Sequence, residues 1–469
     1  MIQRIVPFLF ALVFTAGSLF GQAPKPKPKA LAKPTSILDL QDGDTFVFLG
    51  DSITHQCLYT QYIEDFFYTR YPERRIKFHN AGVSGDKAGD ALARFEEDVA
   101  SFKPKYVSVL LGMNDGRYED FSSETFAIYQ RDMRAIGEQI VGLRSTAIGL
   151  SPTLFDHHQL ANELENNPNY RFKSREFSEQ YNALMAFYGA WLRGESGESG
   201  IPYINFYGPL NDMTEKQRRT QPDFTLVPDA IHPEAAGQFI MAYEFLWQLT
   251  PDRRGVSSIG ISKGKKGWVA GKAGGEVTDL IVSDEADSVT FKFLAPALPW
   301  VVPEVESGNE KLKWPSPLGA RAGYRLTAAG HRMSNERLKI VGLKPGSYEL
   351  KIDDVVVGNY SHAQLGSKVE LQSNEATPQY QQALKVAKLN RERNDKAVRP
   401  LRDTWGKVKG IRRKLDAAGE SNKFEAEFTK VKPRIDELKA LAASFEDQIY
   451  EAACPILRKY EVVHVDSNK

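Results

Sequence analysis

The sequence predicts an α/β domain with a central parallel sheet, followed by a β-rich module and a charged helical region. Two patterns predict the first domain. Short apolar segments typical of buried strands lie near Phe46, Lys77, Val107, Ala147 and Tyr203. Helical patterns separate these segments, at residues 56–69, 88–101, 123–143 and 175–192. Such βαβ repetition predicts a parallel sheet covered by helices on both faces, as in a flavodoxin-like three-layer α/β/α sandwich.

The chain changes character after residue 249. Residues 257–371 are Gly-rich and contain short alternating runs, which favours a β-rich module, such as a small sandwich. The module either binds a substrate chain or serves as a packing spacer. Trp300 and Trp314 lie in a Pro-interrupted loop, where an aromatic face can stack on a sugar ring or pack between domains.

Between residues 378 and 462, apolar side chains recur at helical spacing among Lys, Arg and Glu. Pro400 and Gly410 interrupt the pattern, which predicts two or more antiparallel helices packed on the other domains. Pro433 predicts a kink or a helix start. The predicted boundaries are therefore 39–252 for the α/β domain, 253–373 for the β-rich module and 374–469 for the charged helical region.

The N-terminus has the layout of a signal peptide. Arg4 precedes an apolar run at 5–20, and small residues suited to cleavage follow, so residues 1–23 are predicted to be removed on export. The competing interpretation is a membrane anchor, but the run is short for a span. Residues 24–38 form an extended Pro/Lys-rich linker. We expect a periplasmic or secreted protein without stable membrane insertion.

Composition limits the remaining possibilities. The 469 residues suffice for two or three domains, and a net charge of +1 gives no reason to expect nucleic acid as a partner. The oligomeric state is open. The chain has two cysteines, Cys57 and Cys454, so it lacks a disulfide scaffold. We expect two buried free thiols, although an exported protein could form a bridge between them.

The sequence Gly50-Asp51-Ser52-Ile53 directly follows the first predicted strand. In open α/β sheets, ligands bind at the carboxyl ends of the strands, so Ser52 is a candidate nucleophile. Taken alone, Gly-Asp-Ser is usually a turn. Its catalytic interpretation requires a base, an orienting acid and an oxyanion site elsewhere in the chain.

The base and the acid are found together near residue 230. Asp229 and His232 are three positions apart, so one short turn can hold both side chains on the same side of a loop. The carboxylate can fix the imidazole tautomer through Nδ1 while Nε2 faces the serine. The alternative is a capping pair at the start of the helix predicted at 234–249.

Two segments offer oxyanion donors. Residues 80–86 follow a short strand-like run and include glycine, which allows the backbone to approach a substrate closely. Residues 112–115 follow another predicted strand and include Asn114, whose side-chain amide is a neutral donor. Each segment alone is also typical of a turn.

These segments, in this order, resemble the SGNH (GDSL-type) hydrolase superfamily over residues 45–249, and residues 149–153 resemble its less strict fourth block. The resemblance implies that residues 39–252 form the catalytic domain. It assigns the nucleophile to Ser52, the orienting acid and base to Asp229 and His232, and the oxyanion hole to Ser52, Gly85 and Asn114. The implied chemistry is acyl transfer through an acyl-enzyme, which requires no cofactor and no metal.

The substrate is a small-molecule or polysaccharide ester. We favour a carbohydrate O-acetyl esterase, because the chain is predicted to be exported, carries a β module and has no long apolar lid segment. A lipid or aryl esterase, or a lysophospholipase, is the alternative within the superfamily. A noncatalytic binding protein that retains the fold is the alternative from another class.

Several further side chains are weaker candidates. His55 could border the pocket, and His157 and His158 beside Asp156 could suggest a metal, although no second set of ligands supports one. The aromatic candidates for lining the cleft are Tyr118, Phe155 and Tyr207.

Overall fold

The computed structural model describes residues 38–167, 179–250, 255–271, 274–303 and 318–465. The predicted signal peptide and the linker up to residue 37 lie outside the described residues, as does Trp314. Throughout these ranges, no helix combines the length and the apolar character that crossing a membrane requires.

A five-stranded parallel sheet forms the centre of the first domain, with strand order β2-β1-β3-β4-β5. Its strands are β1 (Thr45–Gly50), β2 (Lys77–Gly82), β3 (Tyr106–Leu110), β4 (Thr146–Leu150) and β5 (Tyr203–Ile204). This order is the flavodoxin-like one, so the predicted fold class is confirmed.

Helices cover both faces of this sheet. They are α1 (Ser52–His55), α2 (Tyr59–Arg70), α3 (Ala88–Leu92), α4 (Phe95–Asp98), α5 (Ser123–Gly142), α6 (His157–Asn166), α7 (Tyr181–Ser199), α8 (Tyr207–Arg218) and α9 (Ala235–Leu249). Successive side chains of β1 point to opposite faces. Phe46 and Phe48 therefore join the core formed with α2 and α9, whereas Val47 and Leu49 join the core formed with α5 and α7.

The β-rich module is a sandwich of two sheets. One has strand order β13-β10-β6-β7 and the other β12-β11-β14-β9-β8. Its elements are β6 (Ser257–Gly264), β7 (Gly267–Ala270), β8 (Glu276–Val282), β9 (Ser288–Leu294), α10 (Ala320–Leu326), α11 (Ala329–Met333), β10 (Glu336–Val341), β11 (Ser347–Ile352), β12 (Val355–Ser361), α12 (His362–Ser367), β13 (Val369–Glu370) and β14 (Arg458–Val465). Ile261 and Leu338 from the first sheet share one core with Phe291 and Leu350 from the second.

The charged region forms α13 (Pro378–Arg393), a π-helical turn (Asn394–Val398), α14 (Arg399–Ala417) and α15 (Phe424–Ala453). Gly410, predicted to interrupt the helical pattern, lies inside α14. Pro433 lies inside α15 and not at a helix start. These helices pack on the α/β domain through α2 and β2.

The end of the chain differs from the predicted helical region 374–469. After α15 the chain becomes β14, which pairs with β9 and β11 inside the second sheet of the sandwich. The reason is a period-two pattern in which Tyr460 and Val462 are buried and alternate with more exposed neighbours. The helices are thus an insertion within the β-rich module.

The structure also tests the predictions for the two cysteines and for Trp300. Cys57 is buried and free as predicted, but Cys454 is free and exposed. Trp300 packs between domains, because its ring stacks on Phe239 at 4.8 Å between centroids and its Nε1–H donates to the carbonyl of Tyr62 at 3.0 Å. A buried ring in this position is not available to a sugar.

Candidate active site

Ser52 is the first residue of α1, directly after β1. Asp51 caps this helix, since its Oδ1 accepts the Ile53 N–H at 2.9 Å. A side chain at Gly50 would collide with Thr54 and with the carbonyl oxygen of Leu110, so the tight turn that presents Ser52 requires glycine. Ser52 is 8% exposed, so a small part of this residue remains accessible to solvent.

His232 connects Ser52 with Asp229. The Ser52 Oγ–H donates to His232 Nε2 at 2.8 Å, and the His232 Nδ1–H donates to Asp229 Oδ2 at 2.6 Å. Asp229 Oδ1 also accepts the backbone N–H groups of Ile231 and His232, at 3.0 and 2.7 Å. The turn thus holds the carboxylate and the imidazole in register, and the imidazole can accept a proton from the serine.

The carboxylate of Asp229 is kept ionised by its partners. Burial alone would raise its pKa, but the hydrogen bond and the charge of His232, together with the two backbone N–H groups, outweigh burial and lower it. An ionised Asp229 fixes the Nδ1–H tautomer of His232 and can stabilise the imidazolium form.

Asn114 lies in the loop after β3 and is nearly buried. Its Nδ2 donates to the carbonyl oxygen of Asp86 at 3.1 Å and to Asp51 Oδ2 at 3.4 Å, and its Oδ1 accepts the Tyr118 hydroxyl at 3.0 Å. Asn114 is therefore anchored beside the residue that precedes Ser52 and beside the loop that contains Gly85.

Gly85 lies in the loop that joins β2 to α3. It has a φ of +70°, a conformation that favours glycine. Asp86 is completely buried, and its carboxylate pairs with Arg94 at 2.7 Å. The structure thus brings Ser52, Asp229 and His232 into one hydrogen-bonded chain and ties the Gly85 loop to Asn114.

His55, one turn after Ser52, is not part of this hydrogen-bonded series and contacts other residues. Its Nδ1 accepts the backbone N–H of Ser84 at 3.2 Å, and its Nε2 lies 3.2 Å from Asp403 in α14. Burial lowers the pKa of His55, and Asp403 opposes this effect only in part. A neutral His55 is what the accepted hydrogen bond from Ser84 requires.

The other candidates have structural partners. Asp156 caps α6 and accepts hydrogen bonds from Arg218 and Thr225 at 2.6 Å. Tyr118 contacts Asn114, Phe155 packs against Tyr181, and the N–H of Tyr207 donates to Ser151.

Two residues of α14 reach this site although the sequence patterns did not predict them. Lys409 and Asp403 contact Asp86 and His55, respectively. A lysine or aspartate on a charged helix has no pattern that identifies a partner more than 300 residues away, so no signal in the sequence could have found them.

Residues 48–239 match the model of the GDSL-like lipase/acylhydrolase family. This part of the chain is an SGNH (GDSL-type) hydrolase domain, and the protein is an ester hydrolase.

An acetylxylan esterase from Geobacillus stearothermophilus is 25% identical over 234 residues, which cover 45% of this chain and 96% of that protein. A gut microbial diltiazem-metabolizing enzyme of known structure has a TM-score of 0.75 at 24% identity, over 92% of this chain and 100% of that chain. The latter likeness shows that the three-part architecture recurs as a whole. The crystal structure of the acetylxylan esterase Axe2 from Geobacillus stearothermophilus has a TM-score of 0.36 at 25% identity, over 45% of this chain and 96% of that chain.

Proposed function

We propose that this protein hydrolyses carbohydrate O-acetyl esters through an acyl-enzyme on Ser52. The observation that carries the proposal is the hydrogen-bonded chain from Ser52 through His232 to Asp229. Ser52 Oγ attacks the ester carbonyl carbon while its proton passes to His232 Nε2, and the ionised Asp229 stabilises the imidazolium. His232 then returns the proton to the departing alcohol, and the acyl group stays on Ser52.

Water completes the cycle. His232 removes a proton from a water molecule, the resulting hydroxide attacks the acyl carbon, and Ser52 leaves with that proton. In both halves the negative charge on the former carbonyl oxygen is held by the backbone N–H groups of Ser52 and Gly85 and by Asn114 Nδ2, which exchanges its 3.4 Å contact with Asp51 for the oxyanion. Removal of one such donor costs about 2.7 to 4 kcal/mol of transition-state stabilisation.

The acetyl and carbohydrate parts of the proposal are supported by the 25% identity to an acetylxylan esterase, which spans nearly that whole protein. Export would fit a polymeric substrate outside the cell. We therefore also propose that residues 1–23 direct secretion or periplasmic delivery, on the basis of Arg4 and the apolar run at 5–20.

The decisive experiment compares the wild-type protein with Ser52→Ala on acetylated xylooligosaccharides and on short- and long-chain acyl esters. Ser123→Ala, at an exposed position at the start of α5, is the matched control. We expect wild type and control to release acetate and Ser52→Ala to lose about 10⁴-fold or more of the activity. Preference for long acyl chains would favour a lipid esterase instead, and no activity above Ser52→Ala would indicate a noncatalytic protein.

Export has its own test. Cell fractionation should place the full chain outside the cytoplasm with a mature N-terminus near residue 24, whereas deletion of residues 2–23 should retain it inside. A full chain that stays in the cytoplasm would contradict the export proposal and leave the enzymatic one intact.

A further inference from the structure

Helix α14 contacts the Gly85 loop through one lysine. Lys409 Nζ donates to the carbonyl oxygen of Ser84 at 3.3 Å and to Asp86 Oδ1 at 2.7 Å. The Lys409 side chain is only 11% exposed, and Asp86 is completely buried. One ammonium group therefore holds the residues on both sides of Gly85.

The contact with Ser84 fixes more than a carbonyl group. The carbonyl of Ser84 and the N–H of Gly85 belong to the same planar trans peptide unit, so the two bonds point in opposite directions. An ammonium group that holds the carbonyl on the α14 side thereby directs the Gly85 N–H away from α14. It also polarises the peptide, which strengthens the N–H as a donor.

Gly85 cannot hold this orientation by itself. It has a φ of +70°, and a Cβ built on it would meet only Lys409 Nζ, at 3.9 Å, within 4 Å. The N–H of Asp86 donates to the carbonyl of Val83 at 3.1 Å and closes the turn around Gly85, and Lys409 adds a second hold on the central Ser84–Gly85 peptide.

A second residue of α14 acts on the same loop. Asp403 lies 3.2 Å from His55 Nε2, and His55 Nδ1 accepts the N–H of Ser84. The backbone N–H and the carbonyl of Ser84 are thus both held by side chains that α14 supplies or supports. On the far side of the loop, the carbonyl of Asp86 holds Asn114 Nδ2.

We propose that Lys409 is a positioning residue for the oxyanion hole, which makes the C-terminal helical region part of the catalytic machinery. Lys409 does not touch the substrate. It fixes the direction of the Gly85 N–H and, through Asp86, the place of Asn114. The proposal rests on the proposed function, because it assumes that these two groups bind the oxyanion.

The test compares Lys409→Met with Lys407→Met, an exposed position two residues away on the same helix. With an acetyl ester, we expect Lys409→Met to lose about 10- to 100-fold in kcat while KM changes less than about twofold. Lys407→Met should match wild type, and Lys409→Arg should recover most of the activity because it keeps a cationic donor.

Binding of phenylboronic acid is the second readout, since a boronate on Ser52 imitates the tetrahedral intermediate. Its inhibition constant should rise for Lys409→Met by about the same factor as kcat falls. Loss of stability alone would not produce this match. If Lys409→Met does not fold, Lys409→Gln, which removes the charge and ends one atom short of the lysine Nζ, is measured in the same way.

The outcomes separate the two proposals. If Ser52→Ala is inactive and Lys409→Met or Lys409→Gln keeps the kcat and the boronate affinity of Lys407→Met, the role of Lys409 is overturned and the proposed function stands. If Ser52→Ala hydrolyses the ester as fast as wild type, both are overturned.

Discussion

The α/β domain meets the rest of the chain through two surfaces of different chemistry. Toward the C-terminal helices, apolar packing such as that of Tyr450 on Tyr68 is accompanied by buried charges. Arg402 forms two hydrogen bonds with Asp98, at 2.7 and 3.0 Å, and neither side chain is exposed. Toward the segment of the β-rich module between β9 and α10, the contact is mainly aromatic. Trp300 lies between Phe239 and Phe66, with ring centroids 4.8 and 5.5 Å away.

The two surfaces differ in whether a change at the contact can shift polar groups of the candidate active site. Apolar packing is non-directional, and the hydrogen bond that Trp300 adds, from its Nε1–H to the carbonyl of Tyr62, fixes a backbone group inside α2 and not a residue of the Gly85 loop. A buried ion pair is directional, and it stabilises only while both partners are in place. The charged surface continues toward the candidate active site, because Arg94 bridges Asp98 and Asp86 at 2.6 and 2.7 Å. Only this surface lies against the Gly85 loop.

The largest effect is expected from Arg402→Met. Burial would raise the pKa of Asp98, but Arg402, His79 and Arg94 outweigh burial and keep it well below its usual value. Without Arg402 the carboxylate stays buried with fewer partners, so we expect the free energy of unfolding to fall by about 3 kcal/mol. Urea denaturation measures this loss. The kcat of the folded protein should fall roughly threefold or more, because Asp98 leads through Arg94 to the Gly85 loop.

Arg413→Met is the matched control for this variant. Arg413 lies on the same helix and pairs with Asp90 at 2.9 Å, but its side chain is 58% exposed. An exposed pair contributes about 0 to 1 kcal/mol, so this variant should stay near wild type in stability. If Arg402→Met and Arg413→Met lower the free energy of unfolding equally, water reaches the Arg402–Asp98 pair, and this pair contributes no more than an exposed one.

Trp300→Leu tests the aromatic surface. The change removes the stacking on Phe239 and the hydrogen bond to Tyr62, and leaves part of the space unfilled. We expect a loss of about 2 kcal/mol in the free energy of unfolding, with kcat unchanged under conditions where the variant is folded. A fall in kcat as large as that of Arg402→Met would remove the distinction between the two surfaces.

The sequence was informative wherever a feature is local. Each motif occupies a short stretch of consecutive residues. Ser52, Gly85, Asn114 and the pair at 229 and 232 could therefore be predicted from short patterns. The common location of Ser52, Gly85 and Asn114 follows from the fold, because parallel strands end at one edge of the sheet. His232 lies in the loop between α8 and α9, and the packing of this loop on the same edge places it within hydrogen-bonding distance of Ser52, 180 residues away.

The sequence does not predict contacts that form only when distant segments of the chain pack together. Lys409 meets Asp86 across 323 residues, and its helix shows many similar charged side chains. The same charged pattern concealed β14, whose two buried side chains, Tyr460 and Val462, are too few to stand out after a long helix. Trp300 could not be assigned either, because a loop tryptophan has the same pattern whether it binds a sugar or packs against Phe239.

The smallest effect is expected at a buried carboxylate that has no cationic partner within the part of the chain that the structure describes. Glu336, at the start of β10, is 3% exposed, and its Oε2 has no hydrogen-bond partner among the described residues. Burial raises the pKa of Glu336 to about 8, against the opposing hydrogen bond from Gln379. The folded protein therefore binds a proton at pH 7 that the unfolded chain releases, and stability is lost as the pH rises toward 8. Asp98, surrounded by Arg402 and Arg94, shows the opposite shift.

Glu336→Gln replaces the protonated acid with a neutral side chain of the same shape, so it should remove this pH dependence. Between pH 7 and pH 9, wild type should lose about 1.4 kcal/mol more than the variant in the free energy of unfolding, which corresponds to one pKa unit. Glu425→Gln, at an exposed position in the first turn of α15, should behave like wild type. If wild type and Glu336→Gln decline in parallel, Glu336 is already ionised at pH 7. In that case the fold would tolerate a buried ionised carboxylate without an arginine beside it. The arginines around Asp98 would then contribute less to stability than their short distances to its carboxylate indicate.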